Sequence, residues 1–255
     1  MKKLFWKIFI AIDQRLKFPA LQPGDIGIQL GYDMSAPVTS DLFLMANRVG
    51  KNGIVYGVDP DPNNKIIATE IISKKNIPVT LIDKAVFSEP GTMTLLLGKK
   101  ASWNQLRNIP VDTSVKYNGV ELQVEMDTLD HIVDENNIPI QQIGHINVTI
   151  NGAEYSALKG MHHILSTAEN IALTVTTGRY DESRFINGEP DFKVTKQLLL
   201  SYGFKVRFRR IHKLIWWGFF VNTLIKRRWI YGKNNYGVIM AVKGNKRMPW
   251  YQSFS

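Results

Sequence analysis

The stretch Ile143–Gly160, IGHINVTINGAEYSALKG, constrains the fold of this chain more than any other. Ile146, Val148 and Ile150 alternate with Asn147, Thr149 and Asn151, the period of two expected of a strand. At Asn151-Gly152 the period changes, and Ala153, Ala157, Leu158 and Met161 recur at helical spacing. A strand that runs into a helix through a tight turn predicts a parallel sheet, whose carboxyl edge is where α/β proteins place ligands. The corner carries Asn151 and Glu154. Glu154 reads either as a base or acceptor-orienting group, or as a helix-start acid favoured by the helix dipole.

The flanking sequence repeats the alternation of strand and helix. A turn at Pro23-Gly24-Asp25 feeds an apolar strand ending at Gly31. The polar loop YDMSAPVTSD leads to a helix over 42–49 with Ser40 or Asp41 as N-cap. IVYGV is the second strand, closed by Asp59-Pro60-Asp61-Pro62, followed by a helix over 63–75. VTLIDKAVF reads as a third strand, and TMTLLLG and VELQVEM as further strands around a looser region, 98–118. A short helix over 128–137 has Thr128 as its cap. IALTVTT is a strand, 192–202 a helix ended by Gly203, and FKVRFRR and YGVIMAVK are the last two strands. With no helix between them, these two form an antiparallel pair at one edge. The expected fold is α/β: a doubly wound, Rossmann-like, seven-stranded and mostly parallel sheet.

Charge divides the chain differently. Residues 1–18 carry a net +4, residues 19–191 a net −8, and residues 192–255 a net +14 with no acid at all. Such asymmetry speaks to partners and not to fold. The first 18 residues read as an amphipathic basic helix, because Lys7 and Asp13 spoil a secretory signal. LIWWGFFVNTLI, residues 214–225, is too short to span a bilayer and is followed at once by Lys226, Arg227 and Arg228. Both ends suit the headgroup level of an anionic membrane, through residues 1–18 and 211–230, or they pack as a lid or dimer contact. The organisation expected is a basic N-terminal helix over 1–20, a core domain over 21–210 and 235–243, an aromatic and basic insertion over 211–234, and a tail over 244–255. There is no cysteine, which removes disulfides and thiolate metal sites, and the five histidines show no ligand spacing. No metal site is expected.

Gly31 at the end of one strand and Asp59 at the end of the next are the arrangement that holds a nucleoside, since a carboxylate there can accept both ribose hydroxyls. The succession PGD–strand–Gly31, VGKNGIVYGVDPDP, VTLIDKAVFSEPG, MDTLDHIV and TINGAEYSALKG resembles the FkbM family of S-adenosylmethionine-dependent methyltransferases. The resemblance spans about residues 22–175 plus the final strand. It implies S-adenosylmethionine as cofactor over Gly31, Tyr32, Asp59 and Pro60, with the adenine near Asp83, Lys84 and Ala85 and the methionine part near Thr149. It also implies transfer of a methyl group to a hydroxyl of a sugar, glycan or lipid-linked acceptor, for which the corner residues Glu154 and Asn151 are the catalytic candidates; the alternative is a catalytically inactive binding or membrane-associated scaffold on the same fold. A cytoplasmic protein, peripheral to the inner face of the membrane, fits both the resemblance and the basic ends. Three departures stand out. Gln29 replaces the family's acid two residues before the glycine. The loop after Gly31 has no second glycine. Asn147, Thr149 and Asn151 stand where the family tends to show Lys-x-Asp-x-Glu. Nucleic acid is disfavoured as a partner, because TINGAE lacks the Asn/Asp-Pro-Pro-aromatic turn of base-amino methyltransferases.

Overall fold

A computed structural model of the chain describes residues 17–37, 40–107, 117–178, 185–210 and 237–247. The basic N-terminal segment 1–16 and the insertion 211–236 lie outside the described residues.

Seven strands form the main sheet: β1 (Ile26–Leu30), β2 (Ile54–Val58), β3 (Val79–Ile82), β8 (Ile143–Val148), β9 (Ala172–Thr177), β12 (Lys205–Arg210) and β13 (Gly237–Val242). Their order is β12-β13-β9-β8-β1-β2-β3. Neighbouring strands from β9 to β3 are parallel, and β13 alone is reversed, pairing antiparallel with both β9 and β12. The expected mostly parallel sheet is therefore present, with the antiparallel pair at one end. β1 and β8 are buried along their whole length, as strands covered on both faces must be. Helices α1 (Asp41–Val49) and α2 (Pro62–Lys75) follow β1 and β2, and α3 (Leu129–Glu135), α4 (Glu154–Lys159), α5 (His162–Thr167) and α6 (Asp191–Ser201) complete the described helices.

Several local expectations hold. The Thr128 side chain accepts from the His131 N–H at 3.1 Å and caps α3. The helix expected after Asp59-Pro60-Asp61-Pro62 is α2, which takes Pro62 into its first turn and Asp61 as its cap. Others are altered by tertiary contacts. Ser40 precedes α1 without a side-chain capping bond, and Asp41 instead meets Lys17 at 2.7 Å. The segment read as one third strand divides: β3 stops at Ile82, and β4 (Ala85–Val86) joins a separate sheet. That sheet runs β4-β7-β5-β6, built on the antiparallel pair β5 (Gly91–Gly98) and β7 (Tyr117–Asp127), with β6 (Gln105–Leu106) at its edge. The single helix expected after Gly152 becomes α4 and α5, broken at Gly160. A side chain at Gly160 would collide with the Phe87 carbonyl, and Asp130 accepts from the N–H groups of His163 and Ile164 to start α5 afresh.

A two-stranded ribbon of β10 (Phe185–Ile186) and β11 (Glu189–Pro190) precedes α6. The larger core cluster packs β1, β8 and β9 against α3, α4 and α5, and a second places α1 against Val55 and Ala68. The rigid result is a sheet edge from which the loops after β1, β2 and β8 face the small second sheet.

Candidate active site

The cleft between the two sheets holds about 670 Å³ of non-atom space, open solvent at its mouth included. Gly31, Tyr32, Asp59, Pro60, Lys84, Ala85, Thr149 and Asn151 all line it. Asp83 and Glu154 do not. Asp83 is ion-paired with Lys65 on α2, and Glu154 is buried beneath its own turn, accepting from the Gly152 N–H at 2.7 Å. The helix-start reading of Glu154 matches this placement, whereas a base or acceptor-orienting role would require it to face the cleft.

Gly31 closes β1 at φ +71°, and a Cβ there would come within 2.5 Å of the Thr149 carbonyl. Only glycine lets the ends of β1 and β8 approach so closely. Thr149 extends that contact: its N–H donates to the Leu30 carbonyl, and its hydroxyl donates toward the Gly31 carbonyl at 3.0 Å while accepting from Gln29 Nε2 at 3.0 Å. Gln29 Nε2 also donates to the Gly31 carbonyl at 2.6 Å, and Gln29 Oε1 accepts from Asn147 Nδ2 at 2.7 Å. Two of the unexpected neutral residues are therefore partners of each other. An acid and a lysine at these positions would meet as an ion pair, and the amide pair fills the same contact without charge.

Asp59 ends β2 almost fully buried. Its Oδ2 accepts from the Tyr32 N–H at 2.9 Å and its Oδ1 from the Asp61 N–H at 2.8 Å. Burial pushes its carboxyl up to about 7, against the lowering effect of those two N–H groups. Tyr32 contributes backbone to this corner while its ring joins the α1 core; burial, and then the Asp59 charge, push its phenol upward. Asn64, on the first turn of α2, donates to the Tyr32 carbonyl at 2.7 Å and accepts from the Met34 N–H at 3.1 Å. It holds the glycine-poor loop in the course that a second glycine would otherwise set. Nothing in the sequence marked Asn64 except an amide in a first helical turn.

Lys84 presents its stem to the cleft and its ammonium to acids: Glu135 and Asp127 at 2.9 Å, and Glu125 at 3.2 Å. These bonds, Glu135 first, raise its pKa. Burial alone would raise the Asp127 carboxyl, but Lys84 and His131 hold it below its ordinary value. Asp127, His131 and Glu135 are the described residues whose donor atoms cluster closely enough for a metal ion, and the Lys84 ammonium already lies between two of them.

The wall facing the strand ends comes from the turn after β5. Ala101, Ser102, Asn104, Gln105 and Leu106 line the cleft, together with Leu95 and Val86. Asn151, in the left-handed conformation at φ 47°, donates from Nδ2 to the carbonyls of Asn104 at 2.7 Å and Ser102 at 2.9 Å. Its Oδ1 is buried without a hydrogen-bond partner. Asp33 adds a second carboxylate to the lining, its Oδ1 accepting from the Ser35 N–H at 2.8 Å. Asp33 and the 101–106 wall were missed in the sequence, where they read as polar loop.

Residues 25–206 match the family model described as the methyltransferase FkbM domain. The chain belongs to that family. The solved FkbM methyltransferase of Methylobacillus flagellatus KT shares the fold of this FkbM domain at a TM-score of 0.52 and 13% identity, covering 90% of this chain and 47% of that one. Aeropyrum pernix fibrillarin, solved with bound S-adenosyl-L-methionine, aligns at a TM-score of 0.46 and 10% identity over 92% and 74% of the two chains. An arsenic(III) S-adenosylmethionine methyltransferase from Chlamydomonas reinhardtii aligns at 0.46 and 12% over 91% and 67%. Comparison with curated proteins gave no match.

S-adenosylmethionine is the cofactor of this methyltransferase, and the residues of the cleft fit it. Asp59 would accept from the ribose hydroxyls, and Pro60, Ala85 and Val86, which line the same cleft, would offer apolar surface to an adenine. The orphaned Asn151 Oδ1 is an acceptor without a donor, suited to an ammonium or hydroxyl. Among the described residues, no helix is long and apolar enough to cross a membrane.

Proposed function

We propose that this FkbM domain transfers a methyl group to a hydroxyl of a sugar, glycan or lipid-linked acceptor. The observation that carries the reading is the neutral furnishing of the cleft beyond Asp59, where Asn151 Oδ1 is buried without a hydrogen-bond partner and Gln105 adds a further amide to the lining. The cofactor supplies an electrophilic methyl on a good leaving group, so orientation of the acceptor oxygen contributes much of the rate. Gly31 and Asp59 fix the nucleoside end, and the Thr149–Asn151 corner orients the acceptor. Among the described residues, Asp33 and Asp59 are the carboxylates of the lining. With Asp59 given to the ribose hydroxyls, Asp33 is left as the proton acceptor of the lining.

The basic segments 1–18 and 211–230 support a membrane-borne or phosphorylated acceptor at the inner face of a membrane. The test is incubation with S-adenosylmethionine labelled in its methyl group and fractionated cell extract. Alkali-stable label in a glycan or lipid fraction is expected; label released by mild alkali means a methyl ester and refutes hydroxyl transfer. Sedimentation with anionic vesicles at low salt, lost at high salt, tests the membrane reading.

A further inference from the structure

Three side chains join the 101–105 turn to the rest of the cleft, and each comes from a different element. Asn104 Oδ1 accepts from the Gly98 N–H at 2.9 Å, and its Nδ2 donates to Asp61 Oδ2 at 2.6 Å. The Asn104 carbonyl accepts from Asn151 at 2.7 Å. Asp61 is itself fixed, because its Oδ1 caps α2 through the Asn63 N–H at 2.9 Å. Asp61 and Asn151 are both more than nine-tenths buried. The turn therefore spans the cleft from the end of β2 to the end of β8, with Asn104 in the middle.

We infer that Asn104 is a latch: clasped by Asp61 and Asn151, it holds the 101–105 turn as the wall that retains the adenosyl cofactor. The three are positioning residues. The inference explains the neutral residue at 151, since a carboxylate there would face two carbonyl oxygens and push the turn away. It gives Asp61, the second acid of the DPDP sequence, a function separate from that of Asp59. It rests on S-adenosylmethionine being the cofactor, and not on the identity of the acceptor.

The hydrogen-bond pattern supplies its own test. In Asn104→Asp, a carboxylate faces Asp61, and the clasp is replaced by repulsion. Adding Asp61→Asn restores a donor on one side and an acceptor on the other, while Oδ1 of the new amide still caps α2. S-adenosylhomocysteine binding is measured by calorimetry for the wild type, Asn104→Asp, Asp61→Asn and the double variant. Hydrogen exchange of segment 98–106 is measured with and without the ligand. At least a tenfold loss of affinity and faster exchange are expected for Asn104→Asp, with recovery to within about threefold in the double variant. Unchanged affinity in Asn104→Asp overturns the latch, and so does a double variant as weak as the single. If Asn104→Asp does not fold, Asn104→Ala removes both side-chain bonds without placing two acids together; it must also bind more weakly, and unchanged affinity overturns the latch equally. A wild type that fails to bind the ligand refutes the cofactor assignment instead, so the two failures are distinguishable.

Discussion

Asp59 makes opposite demands on stability and on binding, and pH separates them. Its carboxyl titrates near 7 in the folded chain and from an ordinary value of 3.8. Between those values the folded state keeps a proton that the unfolded state releases. Stability is therefore fully present below 3.8 and declines as pH rises through 7, by about 1.4 kcal/mol per unit and roughly 4 kcal/mol in all. Binding runs the other way, because only the ionised carboxylate accepts from two ribose hydroxyls. About a tenth of the molecules are ionised at pH 6 and about nine-tenths at pH 8, so S-adenosylhomocysteine affinity should rise on the order of tenfold between them. Calorimetric titration at pH 6, 7 and 8 measures this, with Asp59→Ala as the variant that loses both the affinity and the pH dependence. Urea unfolding over the same range should show the wild type losing its advantage over Asp59→Ala as pH rises. Equal affinities at pH 6 and 8 in a protein that binds the ligand would refute the reasoning.

Asn64→Ala removes both bonds that hold the 32–34 loop, and should cost about 1–3 kcal/mol in urea unfolding and weaken S-adenosylhomocysteine binding. His145 is buried at the opposite edge of the sheet, packed edge-on against Phe18 at 5.2 Å, with burial and then Lys246 pushing its pKa down to about 3. The unfolded chain takes a proton there below about 6.5 and the folded chain does not, so wild-type stability relative to His145→Leu should fall by roughly 3 kcal/mol between pH 6.5 and 4.5 in urea melts. Gln29→Glu alone turns a buried carboxylate toward the Gly31 carbonyl and should cost about 3 kcal/mol or more; adding Asn147→Lys should recover much of that in a double-mutant cycle of unfolding free energies.

The inner strands β1, β2, β8 and β9 were legible because each is a mostly apolar run, and burial leaves little else for such runs to do. Gly31, Asp59 and Thr149 were legible for the same reason: a strand end fixes where its next residue goes. The division of the third strand was not. It depends on Lys84 reaching Glu125, Asp127 and Glu135 some 40–50 positions later. The 101–105 wall was hidden likewise, since its bonds run to Asp61 and Asn151 and no local pattern records them. Glu154 stands at the corner its spacing predicts, but its carboxylate accepts from the Gly152 N–H and does not line the cleft, an orientation that spacing does not record.

The reversed strand has a consequence for how the chain is made. Among the described residues, β12 meets the sheet only through β13, which follows it in the chain. Until residues 237–242 leave the ribosome, β9 presents an open flank and the basic strand β12 has no place to dock. Completion of this sheet therefore waits for residues 237–242, however early the cofactor-binding half has folded.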